Sequence, residues 1–285
     1  MIGVTGATGA LGGRVARRLA ERGVEQRLIV RDPARAPTLP FAEVAEAPDY
    51  ADGEAMARAL AGVGTLFLVS AGEHPDRVSL HRSAVDAAAA AGVERVVYTS
   101  FLAAAPDTTF TFGRDHFHTE EHIKAAGLGY TFLRDSMYLD YVPFFASADG
   151  VIRGPAGDGR VGAVARDDVA GTAVAALLDP VHEGRTYEVT GRQAYTLAEA
   201  AHILTHFTGR EVVYVEETLE EARASRAPSG APDWEIEGWV TSYAAVADGD
   251  LDVVTDTVVR LTGDDPMTLP DFLEAHPESW AHLRP

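Results

Sequence analysis

The chain has 285 residues, of which 46% are hydrophobic, which is enough to bury the core of one large domain or of a domain with a smaller lobe. It has no cysteine, which excludes disulfides, thiolate nucleophiles and cysteine-ligated metal centres. The formal net charge is −19, with 17 acidic and 4 basic residues between positions 211 and 285, so nucleic acid is not an expected partner. No secretory signal or membrane-spanning apolar run is evident, and we expect a cytoplasmic protein.

Short apolar runs alternate with helical patterns along the first half of the chain. The runs at 2–5, 26–30, 65–70, 95–99 and 130–133 predict strands that are buried on both faces. Helices are predicted at 12–22, 54–61, 78–91 and 116–126, and a glycine suited to a C-terminal cap follows each of them: Gly23, Gly62, Gly92 and Gly127. This alternation predicts an α/β fold with a Rossmann-type, doubly wound parallel sheet.

The alternation ends after Arg134. Residues 135–160 are rich in aromatic residues and glycine, and later patterns predict a helix at 167–178, a strand at 186–189, a helix at 197–207, a strand at 211–215 and a flexible loop at 224–232. We therefore predict a Rossmann domain made of residues 1–134 and about 160–190. Residues 135–159 and about 191–285 are expected to form a smaller, discontinuous substrate-binding lobe over its catalytic edge.

A glycine-rich segment connects the first predicted strand to the first predicted helix. Residues 6–12 read Gly-Ala-Thr-Gly-Ala-Leu-Gly. Gly6 permits a tight turn, Gly9 lets backbone amides approach a pyrophosphate, and Gly12 lets the helix pack close to the sheet. The helix N-terminus adds partial positive charge at the phosphates, whereas Leu11 should pack inside. This context favours dinucleotide binding over an ordinary glycine-rich turn.

The end of the second predicted strand carries the residues that would read the adenosine ribose. Arg31 can pair with a 2′-phosphate, which favours NADP(H) over NAD(H), or it can stack on adenine. Asp32 is the competing interpretation, because a carboxylate facing the ribose would favour NAD(H), and a surface Arg–Asp turn is the structural alternative. Asp49 and Tyr50 would lie near the adenine, or form a helix-capping turn.

A proton-donating pair common on this fold is absent. Many such reductases carry Tyr-x-x-x-Lys, in which the lysine lowers the pKa of the tyrosine. The only lysine is Lys124, and Glu120 precedes it by four residues. The pair is expected on the helix that contains Glu120. Counting back from Glu120, Phe112 stands at the position of the tyrosine and His116 at the position of the lysine. A simple ketone needs a positioned proton donor, whereas a quinone gives an aromatic hydroquinone anion that can take its proton from solvent, so the absence favours quinone-like acceptors or no turnover.

Three histidines lie on the same predicted helix. His118 and His122 have the i, i+4 spacing of two metal ligands, with Glu121 between them. We nevertheless predict no metal site and expect both to be solvent-facing or capping residues. His116 is the best candidate of the three for a role in the site.

Together these residues resemble the NmrA-like group of atypical short-chain dehydrogenases. The matching stretches are 2–12, 29–34, 49–50, 81–82, 91–93, 98–100, 116 with 119–120, 130–134 with 138, 157–159, and 187–191 with 196–197. The family stretch Leu-Arg-Asn-Gly-Trp-Tyr reads Leu-Arg-Asp-Ser-Met-Tyr at 133–138 here, which places three changes in the expected acceptor wall.

The resemblance implies an NADP(H)-dependent oxidoreductase. The residues it implies as cofactor ligands are Gly6, Thr8, Gly9, Ala10, Leu11 and Arg31. Ser70 and Ala71 would line the nicotinamide-ribose side. Asp135, Ser136 and Tyr138 would lie beside the nicotinamide and the acceptor.

From these residues we expect hydride transfer from NADPH to quinones or related conjugated molecules, stacked near Tyr138 and Phe144. The candidate catalytic residues are Tyr138, His116 and Ser100, although a packed aromatic ring and a capping hydroxyl are alternatives for Tyr138 and Ser100. A non-catalytic NADP(H) sensor and a tailoring reductase of aromatic biosynthetic substrates are the alternative functions. The expected partner is a small-molecule acceptor, with no nucleic acid and no membrane, and a homodimer is left open.

Overall fold

The computed structural model describes residues 1–284 and is organised around a seven-stranded parallel sheet. The strands are β1 (Ile2–Thr5), β2 (Gln26–Val30), β3 (Ala42–Glu46), β4 (Thr65–Leu68), β5 (Arg95–Phe101), β6 (Gly129–Asp135), β7 (Val151–Gly154), β8 (Arg160–Val161), β9 (Arg185–Val189), β10 (Tyr195–Thr196) and β11 (Val213–Glu216). The helices are α1 (Ala10–Glu21), α2 (Gly53–Leu60), α3 (Arg77–Ala90), α4 (Thr111–Ala125), α5 (Val142–Phe145), α6 (Arg166–Leu178), α7 (Leu197–Thr208), α8 (Leu219–Arg226), α9 (Asp233–Ala247), α10 (Thr257–Thr262) and α11 (Leu269–Ala275).

The strand order is β3-β2-β1-β4-β5-β6-β9, and every neighbouring pair is parallel. The order reverses between β1 and β4, because the chain first builds outward to β3 and then returns to the other side of β1. In open α/β sheets, ligands bind at the carboxyl ends of the strands beside such a reversal. The site is therefore expected at the ends of β1 and β4.

Helices cover both faces of the sheet. Helices α1, α6 and α10 pack together on one face, and α2, α3 and α4 pack side by side on the other. The two faces correspond to two apolar cores, one built around Val4, Leu19 and Leu133 and the other around Leu66, Tyr98 and Phe132. Burial on both faces explains why the central strands are continuous apolar runs.

The remaining elements pack at the carboxyl end of the sheet. Strand β7 pairs with β11, β8 pairs with β10, and a third apolar core joins residues 139–163 to α7, α11 and the end of α9. Helix α7 begins with a capping box, in which Thr196 and Glu199 satisfy each other's backbone amides. No helix within residues 1–284 combines the length and the apolar character needed to cross a lipid bilayer.

The predicted fold class is confirmed, but several elements differ from the prediction, and helices α9 to α11 had no predicted counterpart. No residue range was predicted for strand β3, because it is an edge strand whose side chains are partly or fully exposed and show no apolar run. Helix α4 begins at Thr111, five residues before the predicted start. The predicted loop at 224–232 is wrong at its start, since α8 continues to Arg226 and a 3₁₀ turn follows it. The boundaries predicted between the two lobes stay a prediction.

The predicted glycine caps are confirmed. Gly23, Gly62, Gly92 and Gly127 have φ of 69°, 81°, 80° and 74°. These values lie in the left-handed region that terminates helices and that glycine adopts without a steric penalty.

Candidate active site

The glycine-rich segment forms a tight turn between β1 and α1. Gly6 has a φ of 62°, and the amide of Gly9 donates to the carbonyl of Gly6 at 2.8 Å. A Cβ on Gly12 would overlap that same carbonyl oxygen, so only glycine lets the helix approach the turn this closely. Gly9 is the N-cap of α1 and has no side chain to bond the first amides of the helix. These amides are therefore free for an anionic ligand.

A groove of about 410 Å³ begins at this turn. We call it the glycine groove. It is lined by Gly6, Thr8, Gly9, Ile29, Val30, Arg31, Ala47, Asp49, Tyr50, Met56, Val69, Ser70, Ala71, Gly72, Glu73, His74 and Leu80. Backbone amides at one end of the groove can bind a pyrophosphate, and the guanidinium of Arg31 at the other end can bind a further anionic or aromatic group. The groove therefore fits a dinucleotide cofactor.

Three side chains in and beside the far end of the groove were singled out from the sequence. Arg31 is exposed and lines the groove. Asp32 instead caps the following 3₁₀ turn, where its Oδ1 accepts from the amide of Ala34 at 3.0 Å. Tyr50 donates its hydroxyl to the carbonyl of Val69 at 2.8 Å, and burial raises the pKa of Tyr50 to about 12.

A second cavity, of about 540 Å³, adjoins the glycine groove. Residues 70–73, which follow β4, line both cavities. The amide of Ser70 donates to Thr99 Oγ1 and the amide of Ala71 donates to His81 Nε2, each at 2.8 Å. Buried acceptors on β5 and α3 thus fix the backbone that separates the two cavities.

Aromatic rings form most of the wall of the second cavity, which we call the aromatic pocket. The rings are those of Phe101, Phe110, Phe112, Tyr138, Tyr141, Phe144, Phe145 and Trp239. Helix α9 closes one side because Gly238 lies directly against the ring of Phe112, where a Cβ would overlap it. Trp239 of α9 donates its indole N–H to Glu73 at 3.1 Å.

Ser100 lies in the wall of the aromatic pocket, but its hydroxyl hydrogen is already used. Ser100 donates to Glu120 Oε1 at 2.5 Å. Glu120 is fully buried and also accepts from Nε and Nη2 of Arg134 at 2.9 and 2.6 Å. These bonds with Glu120 raise the pKa of Arg134. Ser100 therefore presents lone pairs, not a donor, to a ligand.

His116 also lines the pocket and belongs to a buried network. Arg77 Nη2 donates to His116 Nε2 at 3.1 Å, and His116 Nδ1 lies 2.9 Å from the hydroxyl of Tyr98. Because arginine can only donate, the neutral imidazole carries its proton on Nδ1. Burial and the nearby Arg77 hold the pKa of His116 well below its usual value. His116 is therefore a neutral acceptor toward Arg77.

His81 is held in a similar way behind the loop at 70–73. Its Nε2 accepts from Ala71, and its Nδ1 lies 2.8 Å from Thr119 Oγ1. Burial, with a contribution from Arg77, lowers the pKa of His81 to about 3. Both buried histidines are neutral at physiological pH.

Asp135 and Tyr138 form a pair at the carboxyl end of β6. The carboxyl of Asp135 is 1% exposed, and its Oδ2 lies 2.9 Å from the hydroxyl of Tyr138. Asp135 Oδ1 and Ser136 Oγ have no hydrogen-bond partner among residues 1–284. Burial raises the pKa of Asp135 well above its usual value. The guanidinium of Arg166 lies over the rings of Tyr138 and Tyr141, at 4.7 and 4.2 Å from their centres.

The predicted site residues fall into three groups. Gly6, Thr8, Gly9 and Arg31 line the glycine groove, Ser70 and Ala71 line both cavities, and Ser100, His116, Ser136 and Tyr138 line the aromatic pocket. Ala10 and Leu11 lie in the first turn of α1, where Leu11 is buried as predicted. Asp135 lines neither cavity and lies behind Tyr138.

Sequence reasoning missed several residues of the pocket, three of which make polar contacts. Arg77, Glu73 and Trp239 approach it from α3, the loop before α3, and α9. No local pattern marks them, because Glu73 and Trp239 meet across 166 residues of chain. Of the two histidines with metal-ligand spacing, His122 pairs with Asp86 at 2.7 Å. Residues 1–284 contain no group of three or more His, Asp or Glu side chains arranged to hold a metal.

A phosphate-type glycine turn at a sheet reversal, continuous with an aromatic pocket, defines a dinucleotide-dependent oxidoreductase of the Rossmann class. A family model described as NAD(P)H-binding matches residues 6–180. The NAD(P)H azoreductase of Xenophilus azovorans is 34% identical over 280 residues, covering 97% of this chain and 98% of the relative.

Two solved structures are similar over nearly the whole chain. The NADPH-dependent quinone oxidoreductase of Escherichia coli, solved with NADPH, has a TM-score of 0.88 at 33% identity and covers 96% of this chain and 99% of its own. The triphenylmethane reductase of Citrobacter sp., solved with NADP(H), has a TM-score of 0.85 at 31% identity, with coverage of 96% and 99%. The chain belongs to this NAD(P)H-binding family, as its motifs predicted, and it is an NAD(P)H-dependent oxidoreductase.

Proposed function

We propose that the protein reduces flat, conjugated acceptors, quinones foremost, with NADPH as the preferred reductant. The observation that carries the proposal is that the glycine groove and the aromatic pocket meet at residues 70–73. A cofactor in the groove and an acceptor in the pocket would be neighbours at this junction. When bound, the reduced nicotinamide supplies a hydride.

The groove residues would hold the cofactor along its length. Gly6, Thr8, Gly9, Ala10 and Leu11 would surround the pyrophosphate, and the free amides of Ala10 and Leu11 in the first turn of α1 would donate to it. Ser70 and Ala71 would flank the nicotinamide end, and Asp135 and Ser136 would lie beyond them on the β6 side. The unpaired Ser136 Oγ supports this assignment, because a buried hydroxyl without a partner is free to bind a ligand.

Arg31 supports the preference for NADPH over NADH. Its guanidinium lines the groove, where it can pair with a 2′-phosphate. The competing Asp32 is occupied as the cap of the next turn, so it does not face the groove. Arg31, and not Asp32, is therefore the charged side chain at the end of β2 that lines the groove, which favours the phosphorylated dinucleotide.

The pocket wall supports a flat, unsaturated acceptor. Offset and edge-on aromatic contacts stabilise planar rings and exclude water from the junction. The names of the three relatives above state reduction of azo compounds, quinones and triphenylmethane dyes, which are all conjugated acceptors. Tyr138 would contact the acceptor, while Ser100 and His116 would hold the opposite wall through Glu120 and Arg77.

Steady-state kinetics with purified protein tests the proposal. NADPH oxidation is measured with a benzoquinone, a naphthoquinone, an azo dye and, as the control acceptor, cyclohexanone. We expect turnover with the conjugated acceptors and none with the ketone, and a higher kcat/KM with NADPH than with NADH. Tight NADPH binding by calorimetry without turnover of any acceptor would instead support a cofactor-sensing role.

A further inference from the structure

Hydride transfer to a conjugated acceptor leaves negative charge on its oxygen or nitrogen, and a proton must then arrive there. In this chain Phe112 and His116 occupy the positions predicted for the Tyr-x-x-x-Lys pair. Ser100 donates its hydroxyl hydrogen to Glu120, and the ring N–H of His116 donates to the hydroxyl of Tyr98. Neither offers a free proton to the pocket.

Tyr138 differs from these two residues because a buried acid stands directly behind it. Its ring lines the aromatic pocket, and its hydroxyl is 2.9 Å from Asp135 Oδ2. Asp135 lies in neither cavity, has no cationic partner, and leaves Oδ1 without any hydrogen bond among residues 1–284. A carboxylate in such a place would be an uncompensated buried charge.

The neutral acid form of Asp135 resolves this arrangement. A protonated carboxyl must donate, and the oxygen within reach is that of Tyr138. Once Tyr138 accepts this bond, its own O–H is free to turn into the pocket it lines. The hydrogen bonds then run in one direction, from Asp135 through Tyr138 to the pocket.

We propose that Asp135 stores a proton that Tyr138 delivers to the reduced acceptor, an inference that rests on the reductase function proposed above. Tyr138 is the catalytic residue of the pair, and Asp135 acts through it. The pair performs the task for which related enzymes use tyrosine and lysine.

The step balances as follows. The acceptor gains a hydride, with its electron pair, from the reduced nicotinamide, which is oxidised. A new O–H or N–H bond forms at the acceptor as the O–H bond of Tyr138 breaks, and Tyr138 takes the proton of Asp135. Asp135 is left as a carboxylate that accepts a hydrogen bond from Tyr138. After the product leaves, water in the pocket returns a proton through Tyr138.

The charged and titratable groups around the pair fit this role. Arg166, at the start of α6, lies over the ring of Tyr138, and Tyr141 lies beside it. Arg166 forms an ion pair with Asp140 at 3.5 Å. The negative charge of Asp140 therefore reduces the electrostatic effect of Arg166 on Tyr138. When the pH rises through the pKa of Asp135, the carboxyl loses its proton and can no longer supply it to Tyr138. Turnover should therefore fall over that pH range.

Infrared difference spectroscopy on the cofactor-free protein tests the stored proton directly. We expect a protonated-carboxyl band at pH 7 that disappears at higher pH and is missing in Asp135→Asn. The amide keeps the shape of the side chain but cannot release a proton to an oxyanion. We therefore expect kcat of Asp135→Asn to fall by about 100-fold, with no high-pH decline.

Tyr138→Phe is the second variant, because it interrupts the chain at the other residue. We expect a similar loss in kcat while the carboxyl band persists. Asp168→Asn and Tyr195→Phe are matched controls, since they make the same atomic changes at a half-buried and a buried site outside the groove and the pocket. Both should keep the wild-type pH profile.

Two results would overturn the inference. One is the absence of a protonated-carboxyl band at pH 7, and the other is a wild-type kcat and pH profile in Asp135→Asn. If the wild-type protein reduces no acceptor, the reductase proposal fails instead. In that case the infrared band still shows whether Asp135 holds a proton.

Discussion

The indole N–H of Trp239 donates to Glu73 Oε2 at 3.1 Å and joins α9 to the loop that separates the two cavities. Glu73 lines both cavities, whereas Trp239 lines only the aromatic pocket. Burial raises the pKa of Glu73, and the bond from Trp239 opposes that rise. The contact therefore holds the α9 wall of the aromatic pocket against the loop that the pocket shares with the glycine groove.

Replacing this tryptophan should weaken acceptor binding without affecting the cofactor. Trp239→Phe keeps an aromatic wall but removes the hydrogen bond to Glu73. Because such a bond contributes about 1 kcal/mol, we expect the KM for a quinone to rise roughly fivefold. Trp280→Phe is the control, because Trp280 donates to the carbonyl of Leu273 in the third apolar core and does not line either cavity. An equal rise in KM for both variants, or a weaker NADPH affinity in Trp239→Phe, would contradict this assignment.

The glycine turn predicts a selective loss of cofactor binding. At Gly9 a Cβ would lie 3.2 Å from the carbonyl oxygen of Gly6, and a branched side chain would enter the groove. We expect Gly9→Val to lower NADPH affinity by roughly 100-fold, since more than one charge-assisted bond to phosphate is lost. Calorimetric titration with NADPH measures this loss.

The matched control for that variant is Gly64→Ala. Gly64 has open space around its Cβ position and lies at the opposite end of β4. Its replacement should leave the affinity unchanged. Circular dichroism separates lost binding from lost folding, and a folded Gly9→Val protein with normal NADPH affinity would refute the proposed phosphate site.

Arg31 should discriminate between the two nicotinamide dinucleotides. Arg31→Ala is expected to raise the dissociation constant for NADPH by about tenfold, through loss of a charge-assisted bond, and to leave NADH binding unchanged. Arg35→Ala serves as the control, because Arg35 is exposed on the next turn and does not line the groove. Equal weakening for both cofactors would mean that Arg31 stacks on adenine and does not read the 2′-phosphate.

The parts of the site that local sequence determines were predictable. The turn at residues 6–12 follows from glycine spacing between a buried strand and a helix, and residues 70–71 were implied by the family resemblance. Helix α8 was also within reach, because Thr218 and Glu221 form a capping box that the sequence displays. The loop prediction overlooked that signal.

Other parts depend on contacts that local patterns do not encode. Strand β3 exists because β2 offers it an edge, not because its own residues form an apolar run. The pairing of Ser100 with Glu120 and the approach of Trp239 to Glu73 require the folded chain. Asp135 was assigned to the cofactor, whereas its position behind Tyr138 became visible only with the geometry of both cavities.

Buried histidines give the protein a specific sensitivity to acid. The pKa of His81 is lowered to about 3, chiefly by burial, so the native state does not bind a proton there at mildly acidic pH. The unfolded chain binds one near a pKa of about 6.5. Below that value the unfolded state holds more protons, so the free energy of unfolding falls as the pH drops from about 6.5 toward about 3.

His81→Gln should remove this part of the acid sensitivity. At pH 7 the variant is expected to be less stable by about 1–2 kcal/mol, since glutamine can accept from Ala71 but cannot also bond Thr119 as the ring does. At pH 4 wild type has lost about 3 kcal/mol through proton binding to its unfolded state, so the gap should close or reverse. Urea unfolding at both pH values measures it, with His118→Gln, an exposed position on α4, as the control whose gap should not change. Parallel stability curves for wild type and His81→Gln would show that His81 does not resist protonation, and the buried contact that fixes Ala71 would need another explanation.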